Sequence, residues 1–153
     1  MIQRPQTLLL ISASILLTIS LFMPIWEIDT DQVQASLTSF SRTLTVDGET
    51  NTKNIAYVSI IGVVAVISIL FSIFKYDNRA LQMKISSVNN LLIGAHLILF
   101  IFIVIPAAEK EVKYEGDLSL GVYLAFGAFV LITVAKIFIK KDDNLIKSVD
   151  RIR

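Results

Sequence analysis

Few side chains in this 153-residue chain are suited to chemistry, and three of them lie close together. His96 is the only histidine, and Asn89 and Asn90 lie about two helical turns before it, in a run otherwise built of Leu, Ile, Val, Ala and Phe with one Gly and one Pro. Polar groups in so apolar a run are costly and need a reason. A histidine there could pass a proton, or it could sit neutral and hydrogen-bonded to a neighbouring helix. No acid lies within an apolar run to partner it, as a coupled transporter usually requires. His96, Asn89 and Asn90 are therefore the candidate intramembrane polar site.

Other chemistry finds little footing. There is no cysteine, which removes disulfides, thiolate metal sites and cysteine nucleophiles, and one histidine cannot build a multi-histidine metal site. GxSxG, HExxH and phosphate-binding glycine loops are missing. No catalytic, cofactor-binding or metal-ligating residue is expected, and the chain reads as no enzyme. Asp29 and Asp31 could hold a cation weakly, though a solvated acidic loop explains them as well. A net charge of only +1 gives no reason to expect a nucleic-acid partner.

The elements that position these residues follow from hydropathy. Hydrophobic residues make up 54% and charged residues 18%, and the apolar excess is concentrated in four runs: Thr7–Trp26, Ile55–Phe74, Val88–Ala108 and Leu118–Ile139. Each is long enough for a helix to cross the roughly 30 Å hydrocarbon layer at 1.5 Å per residue. The first run follows Arg4 as a signal peptide would. It is too long for a signal core, however, lacks a small-x-small cleavage site and ends at Pro24, Ile25 and Trp26, so it reads as a retained helix. Residues 27–54 and 109–117 become outer loops, 75–87 an inner loop and 140–153 an inner tail, all in one domain spanning 1–153.

Orientation follows from Lys and Arg. The side holding the N-terminus, the 75–87 loop and the tail carries ten of them, against four (Arg42, Lys53, Lys110 and Lys113) on the other. Nine of the acids lie on that second side, so the inner face carries about +6 and the outer about −5. Both ends are expected in the cytoplasm, facing anionic lipid head groups.

In the first outer loop, Val33, Ala35 and Leu37 alternate with polar residues, and Thr43–Val46 is a second β-prone run before Asp47-Gly48, a turn signal. A strand pair with Val112–Tyr114 as a candidate third member, or a mobile polar loop, both fit. Leu81 and Ile85, four apart, suggest that the third helix starts inside the inner loop. Leu145, Ile146, Val149 and Ile152 share a helical face in the tail. It reads either as a separate amphipathic helix, on the membrane or docked under the bundle, or as a continuation of the fourth helix. The expected fold class is thus an all-α membrane protein, a four-transmembrane-helix bundle. A small extracytoplasmic hairpin or sheet and an amphipathic C-terminal helix are open additions.

Several short motifs, in order, resemble a family of small four-helix membrane proteins of Bacteroidota that is classed as a domain of unknown function. They are Met1-Ile2-Gln3-Arg4 with Gln6; Pro24 with Trp26-Glu27; Tyr76, Asn78-Arg79, Leu81-Gln82 and Lys84; and Asp143, Leu145-Ile146, Ser148 and Asp150-Arg151-Ile152-Arg153. Pro5 departs from the aliphatic residue expected after Arg4. The resemblance implies a bacterial inner membrane and supplies no activity. Its motifs fall mostly on the cytoplasmic side, where Arg4, Arg79, Lys84, Asp143, Asp150 and Arg151 either form an ion-pair network or simply hold the helices in orientation. The expected role is a non-enzymatic accessory or scaffold subunit, with the bilayer and other inner-membrane subunits as partners. The alternative is a small oligomeric transporter or channel using the polar groups of the third helix.

Overall fold

The computed structural model describes residues 5–30, 33–46 and 49–150, without the side chains of Ile146, Val149 and Asp150. In chain order the elements are α1 (Pro5–Phe22), β1 (Trp26–Asp29), β2 (Val33–Leu37), β3 (Ser41–Val46), β4 (Glu49–Asn54), α2 (Ala56–Phe74), α3 (Arg79–Leu99), a π-helical turn (Phe100–Val104), α4 (Ile105–Val112), β5 (Asp117–Leu118) and α5 (Leu120–Asp150). α1 opens on Pro5, whose fixed φ suits a first helical turn. The Asn54 side chain accepts the Ala56 N–H at the start of α2, and the Asn78 side chain accepts the Leu81 N–H at the start of α3.

The four long helical rods form a ring in which α1 and α3 each pack against both α2 and α5. Their inward residues recur at steps of three and four: Leu10, Ala13 and Leu17 on α1; Ala65 and Ile69 on α2; Ala125, Ala128, Ile132 and Ala135 on α5. That spacing makes a narrow seam on each helix, and the small residues let the backbones approach closely. The polarity runs inside out. On α2, Ser59, Gly62, Ala65 and Ser72 are buried, whereas Ile60, Ile67, Phe71 and Phe74 are exposed. All four rods contain a stretch long and apolar enough to cross a membrane, and their apolar outward faces suit association with one.

The chain is not all-α. β4-β3-β2-β1-β5 form one antiparallel sheet at a single end of the bundle. Five strands correct the expectation of at most a small hairpin or sheet from the first loop. The third member foreseen, Val112–Tyr114, contributes no strand; Asp117–Leu118 pairs with Trp26–Glu27 instead. An isolated hairpin is marginal, but this sheet has something to pack on. Trp26, Ile28, Ala35 and Leu37 cover Ile105 and Ala108 of α4, with Ile25, Val58, Phe100 and Val122 joining them at the bundle end. The tail is likewise not a separate amphipathic helix: α5 continues unbroken for 31 residues, about 46 Å.

The rod from Arg79 to Val112, 34 residues, carries the sheet. Its inward residues step 82, 86, 89, 93, 96, 100 and then 105, 108. The five-residue step would rotate an α-helix off its seam. The π turn absorbs it, with the Ile105 N–H bonding the Phe100 carbonyl five residues back. Pro106 has no N–H for the Phe102 carbonyl, which favours the break there. Lys113, in the left-handed conformation at φ 63°, ends the rod and bonds back to the Glu109 carbonyl.

Candidate functional site

α3 turns its most polar face inward. Gln82, Ser86, Asn89 and His96 are all buried, with Ile93 between the last two. Gln82 Nε2 donates to the Ser72 carbonyl of α2 at 3.1 Å, and Ser86 Oγ donates to the Gln82 carbonyl. Asn89 is fully enclosed, and neither its amide nitrogen nor its oxygen has a hydrogen-bond partner among the described residues. Asn90 lies on the flank, where Nδ2 donates to Thr133 Oγ1 of α5 at 2.8 Å. The three candidate polar residues therefore share one helix but not one pocket: Asn89 faces the core, Asn90 faces α5, and His96 lies two turns nearer the sheet.

His96 sits at the junction of bundle and sheet. Its Nε2 lies 3.5 Å from Ser39 Oγ, in the turn between β2 and β3. Phe100 meets the ring edge-on with centroids 4.9 Å apart. A Cβ on Gly62 would fall 3.3 Å from His96 Cε1 and 2.5 Å from Leu21 Cδ2, so the missing side chain of Gly62 makes room for the imidazole. Nδ1 has no partner. The turn is anchored by Phe40, whose ring lies 5.2 Å from that of Phe22 on α1. The sheet thus closes over this end of the bundle, with Ser39 buried against His96.

At the opposite end, Arg79 Nε reaches Asp142 Oδ2 at 3.5 Å, joining α3 to α5. Asp143 instead pairs with Lys147 one turn along α5, at 2.6 Å. Lys84 is exposed. The structure therefore brings Arg79 to α5, but through Asp142 rather than Asp143. Arg4 and Arg151, and the side chain of Asp150, lie outside the described residues, as do Asp31 and the Asp47-Gly48 turn.

The sheet presents two different faces. Toward α4 it is apolar. The other face carries two cross-strand rows, Glu27–Ser36–Thr43–Thr52 and Asp29–Gln34–Thr45–Thr50. A shallow hollow of about 380 Å³ lies across them, lined by Glu27, Asp29, Gln34, Ser36, Thr43 and Thr45 among others. On the α4 side, past the apolar run that ends at Ala108, Glu111 bridges Arg42 Nη2 and Lys53 Nζ, each at 2.6 Å. Hydrogen bonds from Lys53 and Arg42 pull its carboxyl down to about 2.

Ser39 is a buried polar residue that nothing in the sequence singled out, and Gln6 and Gln82, met there only as parts of family-like motifs, are buried as well. The 4-3-4 spacing of Gln82, Ser86, Asn89 and Ile93 was the available signal for α3. Nothing local marks Ser39, whose burial depends on where the β2–β3 turn lands.

The family profile described as Domain of unknown function (DUF4293) matches residues 2–152 of the chain. A comparison with curated proteins finds no match.

Proposed function

We propose that this chain, which belongs to the DUF4293 family over nearly its whole length, is a multi-pass protein of a bacterial inner membrane. On this reading both ends lie in the cytoplasm, and the protein is a non-enzymatic accessory or scaffold subunit whose sheet meets a partner outside. The Bacteroidota origin implied by the sequence resemblance is part of the same reading. The inside-out polarity of the bundle supports the membrane. The basic end, with Lys75, Arg79, Lys140 and Lys141 opposite the sheet, supports the orientation.

The observation that carries the scaffold role is the outer sheet face. Its two rows of hydroxyl, amide and carboxylate groups are held on a rod continuous with the third span. A platform fixed to a transmembrane rod suits a contact that must keep its position relative to the bilayer. Purification from native membranes in mild detergent should yield a partner at fixed stoichiometry, and Thr43→Lys with Thr45→Lys should release it. Recovery of a lone monomer under several mild conditions would sink the role. Because the chain has no cysteine, Thr45→Cys and Ser148→Cys report orientation separately. An impermeant thiol reagent should reach only the first in intact cells.

A second reading, an oligomeric transporter or channel, draws on the amide of Asn89 and Nδ1 of His96, which have no hydrogen-bond partner among the described residues. Unchanged solute or ion flux through His96→Leu in proteoliposomes would dismiss that site.

A further inference from the structure

Between the α4-facing side of β3–β4 and the sheet-side ends of α2 and the Arg79–Val112 rod lies a cleft of about 240 Å³ that none of the roles above uses. We propose that it seats the phosphodiester head group of an anionic glycerophospholipid from the outer leaflet. This rests on the membrane reading above and goes beyond it.

The cleft is layered as such a ligand requires. Its roof is the charged trio: Arg42, whose side chain is only 11% exposed, Lys53 and Glu111. Its floor is apolar, with Tyr57, Ile103 and Ala107. Tyr57 and Ile103 are largely exposed, so the floor opens sideways onto the apolar outer face of the bundle. Acyl chains leaving the cleft would run down that face. Tyr57 lies at the start of α2, where an amphipathic ring marks the membrane–water boundary. The cations stand just beyond it, at the depth of lipid phosphates.

The charge also fits. Two cations and one carboxylate leave the trio at +1, which a lipid with a single phosphodiester charge neutralises. Glu111 does not exhaust the donors. An arginine carries five N–H groups and a lysine three, and the carboxylate takes one from each. Glu111 therefore holds the two cations side by side, and one carboxylate cannot take all of their hydrogens. A guanidinium is suited to gripping phosphate through two parallel bonds. The ordering of Arg42 is already met by its burial, so the ligand need not bear that entropy cost.

The test uses the full chain in neutral-detergent micelles doped with phosphatidylglycerol or with phosphatidylcholine of the same acyl chains, read by native mass spectrometry. Phosphatidylglycerol should be retained roughly five- to thirtyfold more tightly, the scale of one or two basic side chains near a lipid surface. Arg42→Gln and Lys53→Gln should each reduce that preference. In case Arg42→Gln fails to fold, Ile103→Glu leaves the trio intact and sets a carboxylate against the acyl path, and it should reduce retention of both lipids. Lys140→Gln with Lys141→Gln, at the other basic end, should leave the preference unchanged. Equal retention of the two lipids overturns the proposal. So does a preference that survives Lys53→Gln, or one that disappears only with the Lys140 and Lys141 changes. Full competition by soluble glycerol phosphate also overturns it, because the lipid would then be unnecessary. A chain that does not partition into membranes at all refutes the membrane reading instead.

Discussion

Gly116→Ala should loosen the sheet from the bundle, and Trp26 should report it. A Cβ at Gly116 would lie 2.6 Å from the Glu27 carbonyl oxygen, 2.6 Å from Trp26 Cε2 and 2.7 Å from Ile28 Cγ1. The first of these is backbone in β1, paired on both sides by β2 and β5, and the second belongs to a fully enclosed ring. Neither can yield without moving β1. Overpacking of this kind costs about 1–3 kcal/mol. The shift also strains the bond from Trp26 Nε1 to Glu109 Oε1, now 3.2 Å, and losing a bond to a charged acceptor adds about 1.5–3 kcal/mol. Trp26 is the only tryptophan in the chain, so emission reads this contact alone. The variant should show red-shifted emission, stronger acrylamide quenching and earlier melting in detergent, with its helical circular dichroism retained. Gly94→Ala is the matched control. Its Cβ would meet nothing within 4 Å, and alanine in a helix interior should stabilise by about 0.5–1 kcal/mol. If Gly116→Ala leaves emission, quenching and melting as they were, the chain just before β5 does not press on β1 as described.

Ile132→Ala, in the enclosed seam of α5, should cost about 2–5 kcal/mol, whereas Ile67→Ala on the exposed face of α2 should stay within about 0.5 kcal/mol; equal effects in detergent unfolding would reverse the assigned faces. Breaking Arg79–Asp142 should cost less than about 1 kcal/mol, because its 3.5 Å separation is long and both groups are partly exposed. A double-mutant cycle with Arg79→Gln and Asp142→Asn measures it, and a coupling above 2 kcal/mol would contradict the geometry. Glu111 has its carboxyl lowered from 4.5 to about 2. The stability it lends is therefore present above pH 4.5 and lost as pH falls through about 2. Carbon-13 titration of its carboxyl should show a midpoint far below 4, and a midpoint near 4.5 would mean that Arg42 and Lys53 are not bound to it.

How far the fold could be read depended on whether a feature was local. Four apolar runs announce four long helices, since hydropathy is a property of each run by itself. The face that each helix buries was harder. Leu81 and Ile85 pointed to an early start for the third helix, and α3 does begin at Arg79, but their spacing said nothing of its buried face: Gln82 and Ser86 are the buried pair, and Leu81 and Ile85 remain half-exposed. On the membrane reading proposed above the usual rule reverses, and polar or small side chains gain most from facing neighbouring helices. The same reversal brings Asn89 and His96 inward and leaves Asn90 to pair with Thr133. At the basic end the sequence listed the right kinds of charge but not their pairs. Asp142 and Asp143 are neighbours in sequence, and only their positions around α5 decide that the first faces Arg79.

The sequence by itself determined the number of rods, the charge difference between the two ends and the β-tendency of the first long loop, because each is summed over contiguous residues. The tertiary structure decided what those pieces become together. A strand-prone loop is a marginal hairpin until a helix long enough to leave the bundle offers Ile105 and Ala108 as a surface for Trp26, Ile28 and Leu37. One π turn keeps that surface in line with the inner seam. Strand pairing then carries Ser39 to His96 and Arg42 to Glu111, across 57 and 69 residues of chain. Contacts over such separations have no signature in the order of residues, since they exist only once the sheet has closed on the rod.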